Sequence, residues 1–220
     1  MDNVTADSAY HDNIISVLDK LINQSSISRF FNTSSGDGLD RVNGQYFCRP
    51  DLDLETCNSC VTTAVPFFSQ MCSNKKQAVV WYNQCMVQYT NRTVSATLQT
   101  EPSNEWASSF IVSEPDIFPD IRNKTLDDVI ARALMPENKD RFATGNDTFT
   151  IWEGFYAMVW CTPDITLAEC ETCLNTAVDR IPEDGLAQHI VVLMPSCLLK
   201  YETVQFIFPE TSTPLTPSDP

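Results

Sequence analysis

Apolar residues recur at helical spacing near the start of the chain and again in its second half. Ile14, Leu18, Leu21 and Ile22 fall three or four positions apart, so residues 10–23 are predicted to form an amphipathic helix. A second set with this spacing predicts a matching helix and comprises Leu126, Val129, Ile130, Ala133 and Leu134. Each half of the chain therefore contains one helix of the same kind.

Short runs of β-branched and aromatic residues follow each of these helices. Residues 45–48 and 157–160 are typical of single strands. Residues 79–89 and 190–201 are longer, and each has room for a hairpin or two strands.

A further helix is predicted between the strands of each half. The first opens at Thr56 and runs toward Gln70, and the second opens at Glu169 and runs toward Arg180. The order of elements predicts an α+β fold in two tandem domains. In each domain an antiparallel β-sheet is expected to pack with two α-helices.

The cysteines show that the two halves are copies of one domain. A Cys-x8-Cys-x2-Cys run occurs twice at a shift of 113 positions, with Cys48, Cys57 and Cys60 aligned to Cys161, Cys170 and Cys173. After one deletion, Cys85-x3-Tyr89 aligns with Cys197-x3-Tyr201. A period of this length indicates duplicated domains rather than a solenoid of small units.

The repeat sets the expected domain boundaries. The first domain is assigned to residues 1–92 and the second to residues 106–208. Residues 93–105 are polar and are predicted to be a linker. Residues 209–220 are rich in Pro, Ser and Thr and are expected to form an extended tail.

Spacing on a helix limits how the cysteines can pair. Cys57 and Cys60 lie one turn apart on one helical face, so each must reach a cysteine on a different strand. The economical scheme joins the second helix of each domain to two strands through four disulfides: Cys48–Cys57, Cys60–Cys85, Cys161–Cys170 and Cys173–Cys197. A zinc site and a thioredoxin-like dithiol are the alternatives for these cysteine pairs, and both are disfavoured.

Cys72 has no counterpart in the second copy. It is predicted to be unpaired within this chain, and two explanations stay open. Either its partner lies upstream of Met1, or Cys72 is a free thiol available for reaction or dimerisation.

Composition points to an oxidising compartment. Nine cysteines accompany only two histidines, which suits disulfides better than metal sites. Six N-x-S/T sequons predict N-glycosylation at Asn3, Asn23, Asn32, Asn91, Asn123 and Asn146. The net charge of −15 disfavours nucleic acid and anionic membrane surfaces as partners.

The residues that follow Met1, beginning with Asp2 and Asn3, lack the basic start and apolar run of a signal peptide. No apolar run in the sequence is long enough to span a membrane. The sequence is therefore expected to be a mature or truncated piece of an extracellular, apoplastic protein. A plasma-membrane anchor would require a span after the C-terminal tail.

Several sequence motifs resemble those of the plant stress-antifungal domain, which was first described structurally in the ginkgo seed protein ginkbilobin. They are the Cys-x8-Cys-x2-Cys runs, Cys161-Thr-Pro-Asp, and the segment from Met194 to Glu202. Tandem copies form the ectodomains of cysteine-rich receptor-like kinases and the cysteine-rich repeat secretory proteins. The resemblance implies the four disulfides above and pairs Cys72 with a cysteine just before this chain's start.

Ginkbilobin binds mannose, and the resemblance allows its site to be sought here. Glu202 occupies the position of the family's glutamate and is the one candidate ligand-binding residue. The arginine position is Val191, and the corresponding positions in the first copy are Val79 and Thr90. One matching carboxylate falls short of the convergent polar groups that a sugar site needs.

No set of nucleophile, base and orienting group emerges from the sequence, so no enzymatic activity and no cofactor are expected. The main hypothesis is an extracellular recognition or signalling module, either a receptor-like kinase ectodomain or a secreted relative acting in defence or stress. Its expected partner is an extracellular protein, peptide or cell-wall glycan, with association of ectodomains as a further option. The alternatives are a secreted mannose-binding antifungal lectin and a thiol-based redox sensor.

Overall fold

The computed structural model describes residue 5 and residues 8–72, 75–150, 153–182 and 185–206. The first half contains α1 (Ala9–Ser25), β1 (Phe30–Ser35), a short 3-10 turn (Gly38–Asp40), β2 (Val42–Cys48), α2 (Leu54–Met71), β3 (Ala78–Trp81) and β4 (Cys85–Thr90). The second half contains β5 (Asn104–Ala107), α3 (Phe118–Ala133), β6 (Phe142–Thr148), β7 (Gly154–Cys161), α4 (Leu167–Asp179), β8 (His189–Leu193) and β9 (Cys197–Glu202).

Each half forms one antiparallel sheet, which confirms the α+β fold class. The first sheet has the strand order β1-β2-β4-β3, and the second has the order β5-β8-β9-β7-β6. The shared four strands follow the same order in both sheets. The second sheet differs because β5 adds a fifth strand beside β8.

The two helices of each half cover one face of its sheet. Val17 and Leu21 of α1 are fully buried against the first sheet, as Val129 and Ala133 of α3 are against the second. α1 packs this closely because Gly44 on β2 has no side chain, since a Cβ at that position would collide with Val17. Each half therefore has its own apolar core.

Local side-chain contacts fix where the second helices begin. The Asp53 carboxylate accepts a hydrogen bond from the backbone N–H of Thr56 at 2.7 Å, so α2 has an N-cap. In the second half, Thr166 and Glu169 form a reciprocal capping box at the start of α4. Both helices then present two cysteines to the sheet beneath them.

The opposite faces of the two sheets pack against each other. A set of buried side chains from both halves, here called the inter-sheet cluster, consists of Phe47, Met86, Met158, Trp160 and Leu198. The rings of Phe47 and Trp160 lie 4.6 Å apart between centroids. The two halves are therefore joined through a shared apolar layer as well as through the chain.

The predicted linker is bound to the second domain and is not a free connection. Ser196 and Gln99 exchange hydrogen bonds, and Arg180 forms ion pairs of 2.6 Å with both Glu101 and Glu105. The last predicted linker residues, 104–105, belong to β5. The two carboxylates of this polar segment, Glu101 and Glu105, are both paired with Arg180 of the second domain.

Candidate functional site

The eight paired cysteines occupy equivalent positions in the two domains. Cys48 on β2 lies directly opposite Cys85 on β4, and Cys161 on β7 lies opposite Cys197 on β9. In each domain, the second helix (α2 or α4) carries two cysteines one turn apart, and each of them forms a disulfide with one cysteine of the strand pair. The structure holds the disulfides Cys48–Cys57, Cys60–Cys85, Cys161–Cys170 and Cys173–Cys197, which are the pairs expected from the sequence.

Every one of these cysteines is buried. Thiol exchange requires attack on a disulfide sulfur, so burial protects all four bonds from reaction. Their position between helix and sheet makes them structural links rather than reactive groups.

Cys72 lies at the C-terminal cap of α2 and is a half-buried free thiol. Its carbonyl accepts a hydrogen bond from the Tyr89 hydroxyl at 3.2 Å. Burial raises the pKa of the Cys72 thiol, and the nearby Lys75 offsets only part of this effect. A raised pKa reduces the thiolate fraction, which is unfavourable for a redox sensor.

Glu202 lies at the end of β9 within a charged and aromatic group. Its carboxylate forms an ion pair with Lys200 Nζ at 2.7 Å and lies 3.6 Å from His189 Nε2. Trp106 on β5 contacts His189 edge to face, with 4.6 Å between ring centroids. The Lys200 ammonium also lies 4.3 Å from the centroid of the Phe206 ring.

The protonation of His189 is governed by this group. Desolvation lowers the pKa of His189, Glu202 opposes the shift, and Lys200 reinforces it. The neutral imidazole is therefore favoured more strongly than in water. The Glu202 carboxylate meanwhile is already occupied by Lys200.

The positions expected for a mannose site do not assemble one. Val191 stands where the family's arginine would be, and it pairs in register with Lys200 rather than with Glu202. In the first domain, Val79 and Thr90 take these positions, and the Thr90 hydroxyl donates to Gln77 Oε1 at 3.4 Å. Glu202 is thus a carboxylate already paired with Lys200.

The sequons are distributed over both domains. Asn23, Asn91, Asn123 and Asn146 are exposed, and Asn32 on β1 is half-buried. Asn3 lies outside the described residues. Glycosylation at these positions stays a prediction.

A groove that sequence reasoning missed lies where the start of β3, the end of β4 and residues 97–102 meet. It has a volume of about 1020 Å³, with β3 and the end of β4 as one wall and residues 97–102 as the other. Lys75 and Arg92 line one end. No sequence pattern indicated this groove, because its walls form only where residues 97–102 lie beside β3 and the end of β4.

The described part of the chain contains no group of three or more His, Cys, Asp or Glu side chains able to hold a metal ion. Among the same residues, no helix is long and apolar enough to cross a membrane.

The family profile described as "Salt stress response/antifungal" (Stress-antifung) matches residues 1–92 and 107–204. The chain belongs to this family. The match includes both copies of the repeat.

Curated relatives of this Stress-antifung protein come from Arabidopsis thaliana. It is 33% identical to cysteine-rich receptor-like protein kinase 10 over 194 residues, which is 87% of this chain and 28% of the kinase. It is 31% identical to cysteine-rich repeat secretory protein 9 over 222 residues, which is 99% of this chain and 67% of that protein. The chain thus spans less than a third of the receptor kinase.

Among solved structures, the Stress-antifung chain is similar to the tandem DUF26 ectodomain of the Arabidopsis thaliana cysteine-rich receptor-like protein PDLP8. The TM-score is 0.76 at 22% identity, covering 92% of this chain and 93% of the other. The PDLP5 ectodomain gives a TM-score of 0.72 at 23% identity. These similarities establish the tandem fold.

Proposed function

We propose that the chain is an extracellular recognition module, acting in defence or stress signalling as a receptor-like kinase ectodomain or as a secreted relative. The observation that carries the proposal is the tandem domain itself, which this chain shares with a receptor-like kinase and a secretory protein. Four buried disulfides suit it to the oxidising space outside the cell.

The physical basis of recognition is a rigid surface. Disulfides tie each second helix to its sheet, and the inter-sheet cluster joins the two sheets. A body held in this way loses little conformational entropy when a partner binds. Recognition of an extracellular protein, peptide or cell-wall ligand therefore requires no catalytic groups on the chain.

A binding survey tests this function. The secreted, glycosylated protein is immobilised and titrated with plant receptor ectodomains, cell-wall oligosaccharides and mannose. We expect saturable binding to a protein, peptide or wall ligand, and no binding of mannose because Glu202 is already paired with Lys200. Saturable, stoichiometric mannose binding that is lost in Glu202→Gln would instead establish the lectin alternative.

A further inference from the structure

The lining of the groove includes one of the predicted glycosylation sites. Asn91 follows β4 directly and is exposed at the groove. The other sequon asparagines that the structure describes lie outside this lining, on α1, β1, α3 and β6: Asn23, Asn32, Asn123 and Asn146. A glycan attached to Asn91 therefore begins at the groove, whereas the other glycans begin elsewhere on the surface.

Local contacts hold the Asn91 sequon at this place. The Thr90 hydroxyl accepts a hydrogen bond from the backbone N–H of Arg92 at 3.2 Å, which closes a turn around Asn91. Thr90 is 5% exposed and Val94 is 3% exposed, so the chain is anchored on both sides of the sequon. Asn91 and Thr93 lie exposed between these anchors. The attachment point is thus fixed while the sequon itself stays accessible.

The groove has the size of a ligand site. Its volume of about 1020 Å³ is at the upper end of the range of about 300–1,000 Å³ that is usual for small-molecule sites. An N-glycan begins with two N-acetylglucosamine units followed by mannose. The groove therefore has room for the first sugars of a glycan, while the outer branches extend into solvent.

The walls of the groove present the kinds of side chain that sugars contact. Sugar hydroxyl groups both donate and accept hydrogen bonds, as do carboxamide and hydroxyl side chains. Such neutral side chains come from both walls: Gln77, Gln88 and Thr90 from one, and Thr97, Gln99 and Thr100 from the other. Leu98 and Pro102 add apolar surface against which the faces of sugar rings can pack.

Two amides on opposite walls lack partners. Gln99 and Gln88, the latter 3% exposed, each have a buried Nε2 with no hydrogen-bond partner among the described residues. An unpaired buried amide is costly. Oxygen acceptors placed between the walls would lower this cost, which is a second observation that points to an occupant rich in oxygen.

Attachment favours the chain's own glycan over a free sugar as the occupant. A short tether raises the effective concentration of the attached group to about the millimolar range. Contacts that are too weak to hold a free sugar can then hold an attached one. Because Asn91 is part of the lining, the first sugars reach the groove without any change in the fold.

We propose that the groove holds the chain's own N-glycan, attached to Asn91, with its first sugars packed between the end of β4 and residues 97–102. In the attachment reaction, a bond forms between Asn91 Nδ2 and C1 of the first N-acetylglucosamine. The bond from C1 to the pyrophosphate of the lipid-linked donor breaks, and the amide loses one proton. Residues 97–102 are bound to Ser196 and Arg180 of the second domain, so the glycan connects the two domains. The inference is independent of the proposed recognition function.

The first test measures how accessible the glycans are on the folded protein. The protein is secreted from plant cells, and glycopeptide mass spectrometry establishes occupancy at Asn91 and Asn123. A peptide-N-glycosidase then acts on the native protein, and release is followed at each site. Because cleavage requires the glycan to leave the groove, we expect release at Asn91 to be about tenfold slower than at Asn123. In the denatured protein, which is the control, the two rates should become similar.

Thr93 provides matched variants that leave Asn91 in place. Thr93→Ala destroys the sequon, whereas Thr93→Ser retains it. We expect hydrogen exchange of the amides in residues 97–101 to be about tenfold faster in Thr93→Ala than in the parent, because the sugars no longer hold this wall. Thr93→Ser should match the parent. Asn123→Gln should also match it, since that glycan lies outside the groove.

A variant of the far wall locates the sugars. Gln99→Ala removes the unpartnered amide and keeps the main-chain hydrogen bonds with Ser196, so this wall should stay in place. Occupancy at Asn91 should be unchanged, and release from the native protein should become about threefold faster.

Three results would overturn the inference. One is the absence of a glycan at Asn91 in the secreted protein. A second is equal release at Asn91 and Asn123 in the native protein, which is also the result expected if another part of the protein fills the groove. A third is identical hydrogen exchange of residues 97–101 in Thr93→Ala and Thr93→Ser.

Discussion

At the residue scale, the fold alters the protonation of His189 within the pH range near neutrality. His189 contacts Trp106 from β5 and faces Glu202 and Lys200 from β9. Because desolvation lowers its pKa below the ordinary value of 6.5, the unfolded chain takes up a proton at a higher pH than the folded one. The contribution of His189 to stability is therefore present above about pH 6.5, and it is lost as the pH falls from there through the lower pKa of the folded state.

We expect the midpoint temperature of thermal unfolding to decrease when the pH is lowered from about 7.5 to about 5.5. His189→Gln, which does not titrate, should show a smaller decrease over the same range. Calorimetry in buffers of matched ionic strength checks this. Parallel curves for the two proteins would mean that His189 is not the responsible group.

The thiol of Cys72 gives a second prediction at this scale. Burial raises its pKa, so the native protein should react with iodoacetamide near neutral pH several-fold more slowly than the unfolded protein does. The rate of alkylation should keep rising with pH above the range in which an ordinary thiol ionises. Mass spectrometry of time points gives the rate, and faster native alkylation would support the redox-sensor alternative.

At the scale of elements, the disulfides connect each second helix to two neighbouring strands. By loop-closure entropy, the bond Cys60–Cys85 should stabilise the chain by about 3.5 kcal/mol and the bond Cys48–Cys57 by about 2.7 kcal/mol. Their sequence separations are 25 and 9 residues.

Replacing both cysteines of a pair by alanine avoids a new free thiol. Urea unfolding of the two double variants should show the larger loss of free energy of unfolding for Cys60→Ala/Cys85→Ala. The reverse order would mean that packing around Cys48 and Cys57 outweighs chain entropy.

Strands were harder to predict than helices. β1 and β6 were not predicted because sequences such as Phe30-Phe31-Asn32-Thr33 continue into polar residues that resemble a loop. These edge strands are held by main-chain bonds to β2 and β7, so their side chains carry a weak signal. The helices were recognised because a buried face repeats at a fixed spacing.

At the scale of the whole molecule, the inter-sheet cluster couples two domains that each have a core. Trp160→Ala should remove the ring that packs on Phe47 and cost about 3–5 kcal/mol. We expect calorimetry to show one unfolding transition in the parent and two in the variant.

The matched control is Phe68→Ala, which removes a buried ring from the first-domain core without touching the cluster. It should destabilise the first domain and leave the two domains coupled. A single transition in Trp160→Ala, shifted no further than in the control, would show that the cluster does not couple the domains.

The sequence by itself determined the duplication, the disulfide partners and the two helices of each domain. These features depend on spacings between residues, which are local or are repeated by the second copy. Only the tertiary structure decided the roles of the predicted linker and of Glu202. Residues 104–105, the last two of the predicted linker, joined β5 because they pair with β8. Glu202 was paired because β9 holds Lys200 beside it. Such outcomes depend on which surfaces meet, and the order of residues along the chain does not record that.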